Sequence, residues 1–138
     1  MNMIRSAALG LLMVSFVASS ALAGDKEPLF VNATSDEAHR AEMAFVFSKS
    51  QLERQHPVTI FLSDRAVYVA SKANAAQFKE QQALLSGLIE KGANVLICGI
   101  CLKHYGVGET DILPGIKVAN PELVDAALFK EGTKTLSW

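Results

Sequence analysis

The chain has 138 residues, with 13 lysines and arginines against 14 aspartates and glutamates, so its formal net charge is −1. This length fits one domain, and the near-zero charge argues against a nucleic-acid-binding protein, which usually carries a basic stripe. Apolar residues make up 50% of the chain and charged residues 20%, a balance that argues against disorder. The two cysteines are too few for a scaffold held together by disulfides.

Residues 1–23 differ from the rest of the chain and predict a cleavable signal peptide. They contain basic Arg5, an apolar stretch around Leu9–Val17, and then Ala21-Leu22-Ala23, the small-x-small pattern of a signal-peptidase site. An uncleaved membrane anchor is the alternative, but the second half of the stretch is rich in Ala and Ser, which weakens it. We therefore expect cleavage after Ala23 and a mature domain over 24–138, periplasmic or secreted, without membrane contact.

The first part of the mature domain predicts a strand, a helix and a second strand. Leu29–Val31 is a short apolar run that fits a strand. Thr34 and Glu37 have the spacing of a capping box, followed by a helical pattern that runs to about Gln55. Val58–Leu62 is continuously apolar and contains β-branched residues, which is typical of a strand buried on both faces of a parallel sheet.

The next part predicts a helix and a third strand. Ala66–Ala70 is too short and mixed to be assigned to either type. Asn74 can cap the helix that follows, whose apolar residues share one face, and Gly92 gives that helix a typical end. Val95–Ile97 is a third buried strand, and it leads directly into Cys98-Gly99-Ile100-Cys101.

The last part predicts a short helix over Leu102–Tyr105, a turn at Leu113–Gly115 and a strand at Ile116–Val118. Asn120–Glu122 begins a final helix closed by Gly132, and Thr133–Trp138 can form a fifth strand. This alternation is the signature of an α/β fold, a three-layer α/β/α arrangement around a mostly parallel five-stranded sheet. In such sheets ligands bind at the carboxyl ends of the strands.

The two cysteines, Cys98 and Cys101, are the best candidates for catalytic residues, because they are predicted at the carboxyl end of the third strand. The free amides and dipole of the following helix lower the pKa of a thiol there and make it a better nucleophile. A glycine between the cysteines lets a substrate approach the backbone, two basic residues add positive potential, and an aspartate after the second strand either borders the cleft or forms a turn. These four neighbours are Gly99, Lys103, His104 and Asp64.

Other interpretations of the cysteine pair remain open. A structural disulfide across so short a loop adds only about 2 kcal/mol of stability. Cys98, Cys101 and His104 offer three metal ligands where structural zinc normally has four, and Leu102 stands where a c-type haem motif needs histidine. We therefore expect neither a metal nor a cofactor. Cys-Gly-Ile-Cys also resembles the thioredoxin tetrapeptide, but Ile100 replaces that family's proline and no tryptophan precedes it.

A resemblance covers the whole mature domain. Val95-Leu96-Ile97-Cys98, followed by seven residues and then Gly106-Val107, is similar to the strand, cysteine, short helix and glycine step of the DsrE/DsrF-like family. That family includes the TusD-type sulfur-relay subunits, and Leu136-Ser137-Trp138 looks like the ending of its exported members. The resemblance implies that Cys98 accepts a sulfane sulfur as a persulfide and passes it to a partner, in an oligomer that is commonly hexameric.

This sequence departs from the relay pattern in two ways, the export signal and the second cysteine, Cys101. Cys101 could resolve a persulfide by forming a disulfide with Cys98 and releasing reduced sulfur. The leading hypothesis is a sulfur-relay or sulfurtransfer protein that exchanges sulfur with donor and acceptor proteins or small sulfur species, as a homo-oligomer (trimer or hexamer). The alternatives are a dithiol oxidoreductase acting on protein disulfides, and a non-catalytic oligomeric binding subunit.

Overall fold

The structure is a computed structural model that describes residues 26–138, so the predicted signal peptide lies outside the described residues. The strands are β1 (Leu29–Ala33), β2 (Val58–Leu62), β3 (Asn94–Cys98), β4 (Lys117–Ala119) and β5 (Lys134–Ser137). The α-helices in this range are α1 (Ala38–Glu53), α2 (Lys79–Glu90), α3 (Gly99–Tyr105) and α4 (Pro121–Leu128). Within residues 26–138, no helix is long and apolar enough to cross a membrane.

The five strands form one sheet in the order β4-β3-β2-β1-β5, and every neighbouring pair is parallel. The predicted α/β fold with a parallel five-stranded sheet is therefore confirmed. The first three connections step in one direction across the sheet, while the connection through α4 returns to the opposite edge. Because such crossovers are right-handed, α4 lies on the other face from α1 and α2.

The main core lies between the sheet and the helices of its first face. Val31, Ile60 and Ile97 point to this face from the three central strands and are fully buried. Side chains of α1, α2 and α3 complete the same cluster, notably Phe45, Leu85 and Leu102. The second face is covered less completely, since α4 has no buried residue.

Two predicted helix caps are wrong, each because a tertiary partner takes the side chain. The Thr34 hydroxyl donates to the Trp138 carbonyl at 2.6 Å, because β1 and β5 end side by side. Glu37 instead caps α1, accepting hydrogen bonds from the amides of the next turn. Asn74 donates to the Tyr68 carbonyl at 3.0 Å, and α2 begins only at Lys79.

The segment that the sequence left unassigned forms a 3₁₀ helix over Asp64–Tyr68. Only Ser63 separates it from the carboxyl end of β2, and Ala66 and Val67 are fully buried. Its contacts place it beside α3. This short helix therefore brings polar residues that follow β2 close to the carboxyl end of β3.

Candidate functional site

The two cysteines meet at the carboxyl end of β3. Cys98 is the last residue of the strand, and α3 begins at the next residue. The Cys98 Sγ caps α3 by accepting a hydrogen bond from the Cys101 amide at 3.1 Å. A disulfide joins the two sulfurs, with the Cα atoms 5.2 Å apart. The predicted pair thus forms one unit that is partly exposed to solvent.

Asp64 lies directly beside this pair. Its main-chain amide donates to the Cys101 Sγ, with 3.3 Å between nitrogen and sulfur. Asp64 has a positive φ of 49°, a left-handed conformation that is uncommon for residues other than glycine. Each of the two sulfurs therefore accepts one main-chain N–H, and such donors stabilise a thiolate when the pair is reduced.

Tyr105 connects α3 back to Asp64. Its hydroxyl donates a hydrogen bond to Oδ1 of Asp64, and its ring packs on Tyr68 with 5.3 Å between centroids. This hydrogen bond is the main cause that raises the pKa of Tyr105, with desolvation second. The sequence predicted Tyr105 only as the last residue of a short helix. No local pattern indicates the polar contact, because the two residues are 41 positions apart.

An ion pair holds the 3₁₀ helix that contains Asp64. Arg65 donates from Nε and Nη2 to the two carboxylate oxygens of Asp36, at 2.9 and 2.6 Å. The guanidinium also lies 5.5 Å from the centre of the Tyr68 ring. The hydrogen bond from Arg65 lowers the pKa of Asp36 and raises that of Arg65. Sequence reasoning missed this pair, whose members are 29 residues apart.

The other predicted neighbours lie along α3. A Cβ on Gly99 would come within 3.1 Å of Val118, so this glycine allows close packing of α3 on β4. Lys103 and His104 have exposed side chains in the last turn, and the His104 ring stands edge-on to Tyr105. Ile100, between the cysteines, is 84% exposed. Across residues 26–138, no group of three or more His, Cys, Asp or Glu residues is arranged to hold a metal ion.

Sequence comparison finds a family and two similar proteins. The model of the DsrE/DsrF-like family matches residues 26–135. An uncharacterized protein of Methanocaldococcus jannaschii is 40% identical over 81 residues, which is 58% of this chain and 71% of that protein. An uncharacterized protein of Methanopyrus kandleri is 35% identical over 81 residues, which is 58% of this chain and 67% of that protein.

Structure comparison finds the same fold in solved proteins of low sequence identity. A protein of unknown function from Methanobacterium thermoautotrophicum superposes with a TM-score of 0.68 and 15% identity, over 81% of this chain and 99% of its own. The ychN protein of E. coli gives a TM-score of 0.63 and 13% identity, over 81% of this chain and 99% of its own. These two likenesses support the fold of the chain.

Proposed function

Because the chain belongs to the DsrE/DsrF-like family, which implies a sulfur-relay-type fold, we propose that it is a sulfur-relay or sulfurtransfer protein. In this proposal Cys98 carries sulfane sulfur as a persulfide, and Cys101 is the resolving thiol. The observation that supports it is the bonding contact between the two sulfurs at the carboxyl end of β3. A resolving thiol must reach the sulfur of the carrier, and Cys101 does so without rearrangement of the backbone.

The position of Cys98 as the N-cap residue of α3 favours it as the carrier. Its sulfur accepts the Cys101 amide at 3.1 Å, and this donor stabilises the thiolate that attacks the donor sulfur. The exposed Ile100 beside it leaves one side of the pair open to a partner. We therefore assign the first step to Cys98 and the second to Cys101.

The chemistry consists of a loading step followed by one of two routes for the outer sulfur, and each balances in atoms and electrons. The Cys98 thiolate attacks the outer sulfur of a donor persulfide, which forms Cys98–S–SH and releases the donor thiol. The outer sulfur then either passes to an acceptor thiolate or is released. In release, the Cys101 thiolate attacks the Cys98 Sγ, the bond to the outer sulfur breaks, and hydrosulfide leaves. This second route reduces the sulfane sulfur and oxidises the two thiols to a disulfide, which an external dithiol must reduce before the next cycle.

The partners in this proposal are donor and acceptor proteins or small sulfur species. The proposed location is the periplasm or the exterior of the cell, after removal of the predicted leader. The proposed assembly is a homo-oligomer, a trimer or a hexamer. Size-exclusion chromatography with light scattering on the mature protein tests the last point, and a monomer would contradict it.

Intact mass spectrometry tests the proposed carrier. Reduced protein is incubated with a small-molecule persulfide, and the mass of the wild type is compared with that of Cys98→Ser and Cys101→Ser. We expect Cys101→Ser to retain one added sulfur atom, Cys98→Ser to gain none, and the wild type to release sulfide and end as the disulfide. Added sulfur on Cys98→Ser would contradict the proposal.

The same disulfide supports a second candidate, a dithiol oxidoreductase acting on protein disulfides. In that case the reduced pair transfers two electrons to a substrate disulfide, and both cysteines are needed. Reduction of a model protein disulfide by the wild type, combined with no sulfur retained on Cys101→Ser, would favour this candidate over sulfur relay.

A further inference from the structure

We propose that Tyr105 is a positioning residue for Cys101: its hydrogen bond to Asp64 holds the Asp64 amide on the Cys101 sulfur and turns the carboxylate away from it. The inference rests on the proposed function, because it assigns the group that prepares the resolving thiol for attack. It goes beyond that function by giving separate roles to the main-chain amide and the side-chain carboxylate of Asp64.

The geometry joins three contacts into one unit. The Asp64 amide donates to the Cys101 Sγ at 3.3 Å, while its carboxylate accepts the Tyr105 hydroxyl. Asp64 makes these two contacts in a left-handed conformation, with a positive φ of 49°. Because that conformation is costly for a residue other than glycine, it persists only where surrounding contacts maintain it. Tyr105 supplies one of these contacts.

The two parts of Asp64 have opposite effects on a thiol. A main-chain amide that donates to a thiolate stabilises it and lowers the pKa of the thiol, whereas a nearby free carboxylate raises the pKa of a thiol by like-charge repulsion. The Tyr105 hydroxyl binds the carboxylate and disperses its charge. Since the pKa of Tyr105 is raised, chiefly by this hydrogen bond, the hydroxyl remains a donor throughout the range in which thiols titrate.

Other charged groups lie on the two elements that carry Asp64 and Cys101. Arg65 of the 3₁₀ helix is paired with Asp36 in the loop before α1. Lys103 and His104 are exposed on α3. Besides Cys101, the titratable side chains of the 3₁₀ helix, of α3 and of their direct partners are Asp36, Asp64, Arg65, Tyr68, Cys98, Lys103, His104 and Tyr105.

The experiment measures alkylation of Cys101 by iodoacetamide against pH. All proteins carry Cys98→Ser, which leaves one thiol and keeps a side-chain oxygen to cap α3. Tyr105→Phe removes the hydroxyl and should raise the midpoint of the rate profile, so that alkylation at neutral pH is about threefold or more slower. Asp64→Asn keeps the amide and an acceptor for Tyr105 but removes the charge, and should lower the midpoint.

Tyr68→Phe is the matched control. Its hydroxyl makes only a long contact, 3.5 Å, to the Tyr105 carbonyl, and its ring belongs to the same aromatic pair. Its profile should equal that of the background protein. A shared midpoint for Tyr105→Phe and Tyr68→Phe, or a raised midpoint in Asp64→Asn, would overturn the proposal. General loosening of the site changes the plateau rate at high pH but does not move two midpoints in opposite directions.

The outcome is separate from that of the sulfur-transfer experiment, since alkylation requires no persulfide. Opposite midpoint shifts without added sulfur on the protein would retain the role of Tyr105 and reject the proposed function. Persulfide on Cys98 with unmoved midpoints would retain the function and reject the role of Tyr105. If both experiments support their proposals, Tyr105→Phe in the otherwise wild-type protein should also slow sulfide release about threefold or more. Adding Tyr105→Phe to Cys101→Ser should leave the loading of sulfur on Cys98 unchanged.

Discussion

Arg65 makes two hydrogen bonds to Asp36 and so ties the 3₁₀ helix beside the cysteines to the loop that precedes α1. The hydrogen bond from Arg65 is the main cause that lowers the pKa of Asp36. A carboxyl group with a lowered pKa in the folded state stabilises the protein above its unfolded pKa, and this stability is lost as the pH falls through the folded value. The pair therefore contributes at neutral pH and not in acid.

We predict that Asp36→Asn lowers the urea midpoint at pH 7 and that the difference from wild type disappears in acid. The difference should be constant above about pH 5 and shrink as the pH falls below about 4. Urea titrations of both proteins at several pH values provide the measurement. Glu27→Gln is the control, because its partner Lys134 is highly exposed and such pairs add little stability. A difference that persisted unchanged at pH 3 would contradict the assignment.

The residues around the sulfurs show what a sequence can and cannot reveal at this scale. The position of Cys98 and Cys101 at the end of β3 was predictable, because a buried strand, a tight cysteine spacing and a following helix are all local. The contacts of Asp64 with Cys101 and Tyr105 were not, since they join residues 37 and 41 positions apart. They depend on β2 and β3 being neighbours in the sheet, and no local periodicity contains that information.

At the scale of the elements, glycine positions distinguish turns that need glycine from a helix that does not. Gly115 lies in the turn predicted before β4, has a φ of +84°, and a Cβ there would come within 2.6 Å of Ile89. Gly87 lies inside α2, and a Cβ there would meet nothing within 4 Å. The same substitution should therefore have opposite effects at these two positions.

We predict that Gly115→Ala destabilises the protein by about 1–3 kcal/mol, because it combines a left-handed backbone with a steric clash. Gly87→Ala should stabilise it by about 0.4–1 kcal/mol, because alanine restricts the unfolded chain and favours the helix. Urea denaturation followed by far-ultraviolet circular dichroism measures both. Equal effects of the two substitutions would show that the turn does not require the conformation seen at Gly115.

The elements also show where helix prediction succeeded. The end of α2 was predictable, because Gly92 at a φ of +94° follows directly after the capping residue. The start of α4 was predictable as well, because Asn120 caps it by accepting the Leu123 amide at 2.8 Å. The caps at Thr34 and Asn74 failed, because both side chains bond to backbone carbonyls outside the helices they were expected to begin. Capping patterns are reliable only where no tertiary partner competes.

At the scale of the whole molecule, the parallel sheet was predictable and its strand order was not. The alternation of strands and helices indicates parallel strands, but it does not show that the chain returns from β4 to place β5 beside β1. That return lets Thr34 bond to Trp138 and places α4, which has no buried residue, on the second face. The main core, on the first face, is made by side chains from the central strands and from α1, α2 and α3.

Because this core is made by side chains other than the two cysteines, with Cys101 only packed against it, we predict that the fold persists when the disulfide is reduced. The bond closes a loop of only about four residues, so its loss should cost about 2 kcal/mol or less. Urea titrations with and without dithiothreitol measure the difference, and Cys101→Ser serves as the control that should not respond to the reductant. Unfolding by reductant alone would contradict this prediction. A small cost is what the proposed cycle requires, since Cys98 must alternate between thiol, persulfide and disulfide while the sheet that carries it stays folded.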